Sequence, residues 1–141
     1  MQAANSAGTN GIFSSDEHFY LVMHDVFSEV VDHPRMDSIA RSNMVIRIKT
    51  TRPEAELLID GRQPPLEIFY GTRPGQANIE IMLAADLLHK IWLGQVSTRE
   101  SFFSGKIKTR GNMLKMMTLT DLFAECERVY PQVAEKHGLA L

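Results

Sequence analysis

The sequence contains few side chains at spacings that would support catalysis. None of its five histidines forms an i, i+4 pair beside an acidic partner, so we interpret them as surface or hydrogen-bonded histidines. Ser14, Ser15 and Ser104 lack the glycine-flanked elbow of a hydrolase. The single Cys126 would need a base brought to it by the fold. We therefore predict no catalytic residue, no metal site and no cofactor.

Two further stretches match functional motifs only in part. Residues 71–75 hold two glycines but lack the Gly-Lys-Ser/Thr of a phosphate-binding loop. Asp60 and Glu67 are two carboxylates that no pattern places together, and we interpret them as a turn residue and a solvent-facing strand residue. The remaining candidates for a functional site are apolar side chains. The prediction of function therefore depends on which helices and strands carry them.

Length and composition exclude several classes of protein. The chain has 141 residues, which suits one domain, and 44% of them are hydrophobic, which argues against disorder. A net charge of −2 argues against a nucleic-acid binder. No apolar run approaches the ~20 residues that span a bilayer. With one cysteine and no signal-peptide pattern, the sequence predicts a cytoplasmic protein.

The chain divides into a tail and one domain. Residues 1–13 are predicted to be a disordered tail, and residues 14–141 a single domain that begins with a Ser14–Glu17 capping box and an amphipathic helix ending at Pro34. Later helices are predicted over 84–94, from Ser97 through the Phe102–Phe103 pair, and after Gly111, with an interruption at Pro131. Strands are predicted over residues 44–50, 55–61, 66–71, 78–83 and 106–110.

This order of elements predicts an α+β fold. Three strands joined by short turns favour an antiparallel meander, and the helices between the later strands allow one parallel neighbour. We expect a five-stranded, mostly antiparallel sheet with helices packed on one face.

Residues 102–119 read FFSGKIKTRGNMLKMMTL. An aromatic pair, a glycine, a lysine-rich strand, a Gly-Asn-Met turn and a methionine-containing amphipathic helix follow one another. This set resembles the sterol carrier protein type 2 family of small lipid-binding domains. The resemblance extends from about Asp60 to Leu119, and its most specific part is Phe-Phe-x-Gly-Lys-x-Lys followed by Gly-Asn-Met. It implies an apolar tunnel between the sheet and the helices.

The apolar residues of this region have two interpretations. The simpler one is a core, which any sheet covered by helices needs. Clustered methionines and short helices divided by glycines favour a cavity that admits a ligand. Together with the resemblance, they predict a ligand-binding set made of Leu88, Ile91, Trp92, Phe102, Phe103, Ile107, Met113, Leu114, Met116, Met117 and Phe123.

Two basic residues are candidates for the polar end of such a ligand. Lys115, with Arg110, would meet the carboxylate or phosphate of an acyl ligand at the tunnel mouth. The alternative is a solvated lysine on the outer face of the helix. Leu114 and Met116 stand where the family often has smaller residues, which implies a narrower tunnel or a different ligand.

The predicted function is non-catalytic binding of a lipid or long-chain acyl ligand, with transfer or presentation of that ligand. A partner-binding subunit, whose tunnel is filled by its own side chains, is the alternative; an enzyme acting on a hydrophobic substrate is a third interpretation. Lys106, Lys108 and Arg110 form a basic stripe that is either solvated or makes transient contact with an anionic membrane.

Overall fold

The computed structural model describes residues 11–111 and 116–141, and for residues 116–118 the backbone alone. Of the predicted tail over residues 1–13, residues 1–10 lie outside the described residues. The helices are α1 (Asp16–Val30), a 3-10 helix (Pro34–Met36), α2 (Asp37–Ala40), α3 (Ala85–Trp92), α4 (Thr98–Phe103) and α5 (Met116–Lys136). The strands are β1 (Met44–Thr51), β2 (Ala55–Gly61), β3 (Glu67–Tyr70), β4 (Ile79–Ala84) and β5 (Lys108–Gly111).

The five strands form one sheet in the order β3-β2-β1-β4-β5. Strands β1 and β4 are parallel, with Ile46 opposite Ile79, and the other three pairs are antiparallel. The predicted α+β fold, with a mostly antiparallel sheet and one parallel neighbour, is therefore confirmed.

The fifth strand is shorter than predicted. It begins at Lys108 rather than Lys106. The backbone N–H groups of Lys106 and Ile107 donate to the Ser101 carbonyl, at 2.9 and 3.1 Å. These bonds close the turn after α4, so the two residues belong to that turn and not to the sheet.

The inner face of the sheet carries the hydrophobic core. Alternate residues of β1, β2 and β4 point to this face because successive side chains of a strand lie on opposite sides. Helices α1, α3 and α5 cover them with their own apolar stripes. The strand residues in the core include Ile46, Ile48, Leu57, Ile59, Ile79 and Ile81, each 0% exposed.

The outer face of the sheet is organised around Arg47, which is 7% exposed. Its Nη1 lies 3.1 Å from Glu80 Oε2, and its Nε lies 3.5 Å from Glu56 Oε1. Its Nη2 donates to the carbonyls of Arg73 and Gly75, at 2.9 and 3.0 Å. One buried guanidinium therefore pairs with two carboxylates and fixes the loop that crosses from β3 to β4.

The start of α1 differs from the prediction. The cap is Ser15, whose side chain accepts a hydrogen bond from the His18 N–H at 3.0 Å, rather than Ser14 paired with Glu17. Phe13, placed in the predicted tail, is 0% exposed and packs edge-on against Phe19 and His89. The division after residue 13 stays a prediction, but Phe13 itself contributes to the core.

Three smaller interpretations also need correction. Pro131 does not interrupt the last helix, because Tyr130, Val133 and their neighbours are buried along it, and this burial outweighs the local cost of about 3 kcal/mol for an internal proline. Cys126, which the sequence alone suggests is a half-buried helix residue, is 0% exposed, and burial raises the pKa of its thiol. Asp60 and Glu67 face each other across β2 and β3.

His89 is the buried histidine of the described residues, 2% exposed, on α3. Its Nε2 lies 2.6 Å from the Ala140 carbonyl, and its Nδ1 lies 2.6 Å from the Tyr130 hydroxyl. Since a carbonyl can only accept, Nε2 carries the proton, and Nδ1 accepts from the Tyr130 O–H. Burial lowers the pKa of His89 below its ordinary value of 6.5.

This lowered pKa predicts a loss of stability in mild acid. Between the lowered pKa of the folded chain and 6.5, the unfolded chain binds a proton at His89 that the folded chain does not, so the unfolding free energy falls as the pH falls through this range. One proton allows at most about 1.4 kcal/mol per pH unit. Urea unfolding gives the free energy of unfolding at pH 7.5 and at pH 5.5. The decrease between these two pH values should be smaller for His89→Gln than for the wild-type protein. Equal decreases in the two proteins would contradict the lowered pKa of His89.

Candidate functional site

An apolar groove of about 550 Å³ lies between α4 and α5. Aromatic and aliphatic side chains dominate its surface, and two charged residues, Arg99 and Glu127, belong to the same lining. The lining residues are Thr98, Arg99, Phe102, Phe103, Leu119, Thr120, Phe123, Ala124 and Glu127.

Helix α4 forms one wall of the groove, and a specific cap fixes each of its two ends. At its start, the Ser97 hydroxyl oxygen accepts a hydrogen bond from the Glu100 N–H at 3.1 Å, which agrees with the helix start predicted at Ser97. At its end, Gly105 adopts φ +81° while its N–H donates to the Phe102 carbonyl. Ser101 is the buried residue of this helix, and Phe102 and Phe103 line the groove.

Helix α5 forms the other wall with residues spaced about four apart. Leu119, Phe123 and Glu127 follow one another at i, i+4 and i+8, a spacing that places them on one face of a helix. Phe123 links the groove to the core, because its ring lies edge-on to Trp92 with 5.5 Å between the ring centroids.

The charged part of the lining centres on Arg99. Its guanidinium carbon lies 5.5 Å from the centroid of the Phe103 ring, one helical turn further along α4. A guanidinium at this distance has a cation–π attraction to the ring. The groove thus combines an apolar surface with a cation, which suits an amphipathic ligand.

Trp92 lies directly behind this surface and is 0% exposed. Its ring also contacts Phe27 and Tyr130 edge-on, with centroids 6.3 and 5.5 Å away. Among the buried side-chain nitrogens and oxygens of the described residues, its Nε1 lacks a hydrogen-bond partner. An unpaired buried donor costs about 1–3 kcal/mol.

The structure brings together three of the predicted ligand-binding residues, Phe102, Phe103 and Phe123, on the groove. The structure places Leu88, Ile91, Trp92 and Ile107 elsewhere, in the core, at 0 to 3% exposure.

The remaining predicted residues fall in or beside the segment outside the described residues. Met113, Leu114 and Lys115 lie within it, and of Met116 and Met117 the structure describes only the helical backbone. Arg110 lies on the outer face of the sheet, with Nη1 4.0 Å from Glu80 Oε1, and not on the groove. The tunnel between sheet and helices stays a prediction.

Six lining residues were missed from the sequence, namely Thr98, Arg99, Leu119, Thr120, Ala124 and Glu127. A signal was available for those on α5, because residues 119, 120, 123, 124 and 127 form one continuous helical stripe. Arg99 stands four residues before Phe103, a spacing that places both on one face of a helix.

Within the described residues, no three His, Cys, Asp or Glu side chains are grouped so that they could hold a metal ion. No helix in that part of the chain has both the length and the apolar character needed to cross a membrane.

An open five-stranded sheet with helices on one face and an apolar groove at its helical side defines a small α+β domain. Residues 27–124 match the family model of the SCP-2 sterol transfer family. The match covers more than half of the chain, so the chain belongs to this family. Membership makes it a domain of the lipid-binding and lipid-transfer class. No curated protein sequence matches the chain.

Solved structures confirm the fold. The sterol carrier protein domain 2 of Helicoverpa armigera aligns with a TM-score of 0.61 at 18% identity, covering 91% of this chain and 96% of that one. Sterol Carrier Protein 2 from Yarrowia lipolytica aligns at 0.57 and 20% identity, covering 74% and 89%. A UbiJ-SCP2 ubiquinone synthesis protein aligns at 0.55 and 16% identity, covering 77% and 88%. At these identities the likeness concerns the fold.

Proposed function

We propose that the groove between α4 and α5 binds the alkyl chain of a fatty acid or a related acyl lipid, and that the protein carries or presents this ligand without catalysing a reaction. The observation that carries the proposal is the apolar groove itself, with Phe102, Leu119 and Phe123 in its lining. Its volume of about 550 Å³ lies within the range of small-ligand sites, roughly 300–1,000 Å³.

Burial of the alkyl chain would supply the affinity. Each buried methylene contributes about 0.8 kcal/mol, so a chain of about twelve carbons gains roughly 9 kcal/mol before ordering costs are subtracted. Micromolar binding corresponds to about 8 kcal/mol, and we therefore expect acyl ligands of this length or longer.

The polar end of the ligand would pair with Arg99. This guanidinium lines the groove, whereas Arg110 does not, and Lys115 stays a predicted head-group residue outside the described part of the chain. A guanidinium binds a carboxylate through two parallel hydrogen bonds, which favours a fatty acid over a neutral lipid.

Replacement of Arg99 by methionine tests this pairing. We expect the affinity for a fluorescent fatty acid to fall about tenfold, since a hydrogen bond to a charged group contributes about 1.5–3 kcal/mol and Arg99 is exposed. The affinity for the matching fatty alcohol should not change. Arg99→Lys keeps the charge and should retain most of the binding. An equal loss for acid and alcohol would show that Arg99 acts through packing.

Native mass spectrometry of the purified protein, followed by extraction and identification of lipid, tests the proposed function directly. Bound fatty acid or acyl lipid is the expected result. If the mass is that of the bare chain and acyl probes of several lengths also fail to bind, the proposed function is wrong.

No specific contact in the described residues favours the partner-binding or enzyme alternatives. The cytoplasmic location stays a prediction.

A further inference from the structure

Glu125, on α5, is the buried carboxylate among the described residues, and its side chain is 4% exposed. Burial of an ionised carboxylate is unfavourable unless cations and hydrogen bonds compensate for the lost water. Its Oε1 accepts a hydrogen bond from the Arg128 Nε–H at 2.9 Å, and its Oε2 lies 3.5 Å from Arg35 Nε. These contacts join α5 to the 3-10 helix and make the burial of the carboxylate possible.

His33 completes the surroundings of this carboxylate. Its Nε2 lies 3.5 Å from Glu125 Oε1, and its Nδ1 accepts a hydrogen bond from the Arg35 backbone N–H at 3.1 Å. Because Nδ1 is an acceptor, the ring proton is on Nε2 and faces the carboxylate. Two guanidinium groups and an imidazole therefore share one carboxylate, and the cluster has more positive charge than Glu125 neutralises.

The terminal Nη groups of the two arginines are left for another acceptor. Both arginines contact Glu125 through Nε, and their side chains are 58 and 53% exposed. Within the described residues, no second carboxylate forms an ion pair with either guanidinium. The exposed Asp32, Asp37 and Asp121, which are close to the cluster in the sequence, are among those that do not. The cluster thus offers N–H donors and positive charge to solvent.

We propose that Arg35 and Arg128 form a binding site for the phosphate group of a small molecule in solution. A phosphate monoester carries about two negative charges and three acceptor oxygens at neutral pH, so it can pair with both guanidinium groups at once. A carboxylate has one charge and two oxygens, which a single guanidinium satisfies. Glu125 holds both arginines at one point of the surface, which reduces the side-chain entropy lost on binding.

Titration of the nitrogen-15-labelled full chain with inorganic phosphate and with glycerol 3-phosphate, followed by NMR, tests this site. We expect saturable shifts of amide signals in residues 33–36 and 125–128, with millimolar dissociation constants. Arg35→Gln and Arg128→Gln should each weaken binding about tenfold, as expected for lost hydrogen bonds to a charged group. Equal affinity for the two ligands would show that the phosphate group alone is recognised, and tighter binding of the ester that its organic part also contributes.

Matched controls separate a specific site from general attraction to basic residues. Arg41→Gln removes an exposed arginine from the turn after α2 and should bind phosphate as the wild type does. Arg128→Lys keeps a positive charge beside Glu125 but loses the forked donor pair, so it should fold and bind several-fold more weakly. The proposal is overturned if the wild type shows no saturable shifts, if Arg41→Gln loses as much binding, or if acetate binds as tightly as phosphate.

Acyl-probe titration separates this site from the proposed function. The Arg35→Gln/Arg128→Gln variant should bind the probe with wild-type affinity, since neither arginine lines the groove. Phosphate binding by a wild-type protein that binds no acyl probe would overturn the proposed function and leave the phosphate site intact. If the double variant keeps its circular dichroism spectrum but loses the probe, the two sites are one, and a separate phosphate site is wrong.

Discussion

Replacement of Ala124 by tryptophan is expected to abolish binding of acyl probes. Ala124 lines the groove on α5, opposite the aromatic pair of α4, and is partly exposed. An indole at this position would occupy the space of several methylenes. Loss of about four buried methylenes corresponds to roughly 3 kcal/mol, or at least a hundredfold loss of affinity. Titration of the purified variant with a fluorescent fatty acid measures the effect.

The matched control places the same side chain elsewhere on the same helix. Glu135 is exposed on α5 and does not line the groove, so Glu135→Trp should keep wild-type affinity. Circular dichroism establishes that both variants fold. If Ala124→Trp folds and binds the probe normally, the acyl chain does not occupy this groove.

Replacement of Trp92 by alanine is expected to lower the unfolding free energy by about 3–5 kcal/mol, the range measured for large aromatic residues in cores. Trp92 is 0% exposed and joins α1, α3 and α5 through its contacts with Phe27, Phe123 and Tyr130. For a small domain this change is a large part of the total stability. Urea unfolding followed by far-ultraviolet circular dichroism measures it.

Trp92→Phe separates packing from hydrogen bonding. Phenylalanine keeps an aromatic ring between the three helices and removes the unpaired Nε1–H, so the loss of ring volume and the relief of the donor oppose each other. We expect a change of less than about 1.5 kcal/mol. A loss as large as that of Trp92→Ala would mean that the indole N–H has a partner in solution.

The order of the elements was predictable because most of them carry local signals. Alternation in residues 78–83, the β-branched run in residues 44–50 and the apolar run before Asp60-Gly61 in residues 55–61 predicted strands close to β4, β1 and β2. Gly94 and Gly105 ended helices as their positive φ angles require. Pro131 was misjudged because its local cost is overcome by burial of neighbouring residues, which no local pattern reports.

The groove was only partly predictable because its lining depends on which face of each helix packs against the core and which face remains exposed. The sequence identified Phe102, Phe103 and Phe123 but could not separate them from Leu88 and Ile91, which have the same apolar character and lie in the core. Arg99 was missed because its role depends on a spatial contact with the groove, whereas Lys115 and Arg110 were chosen by their proximity along the chain to the family motif.

The two edge strands of the sheet have a consequence for solubility. Strands β3 and β5 are the outermost strands, each is four residues long, and β5 carries the exposed Lys108 and Arg110. Short edges that bear positive charge discourage a second chain from extending the sheet through backbone hydrogen bonds. A domain that exposes Phe103 and an apolar groove is thereby less prone to aggregate through the backbone of β5.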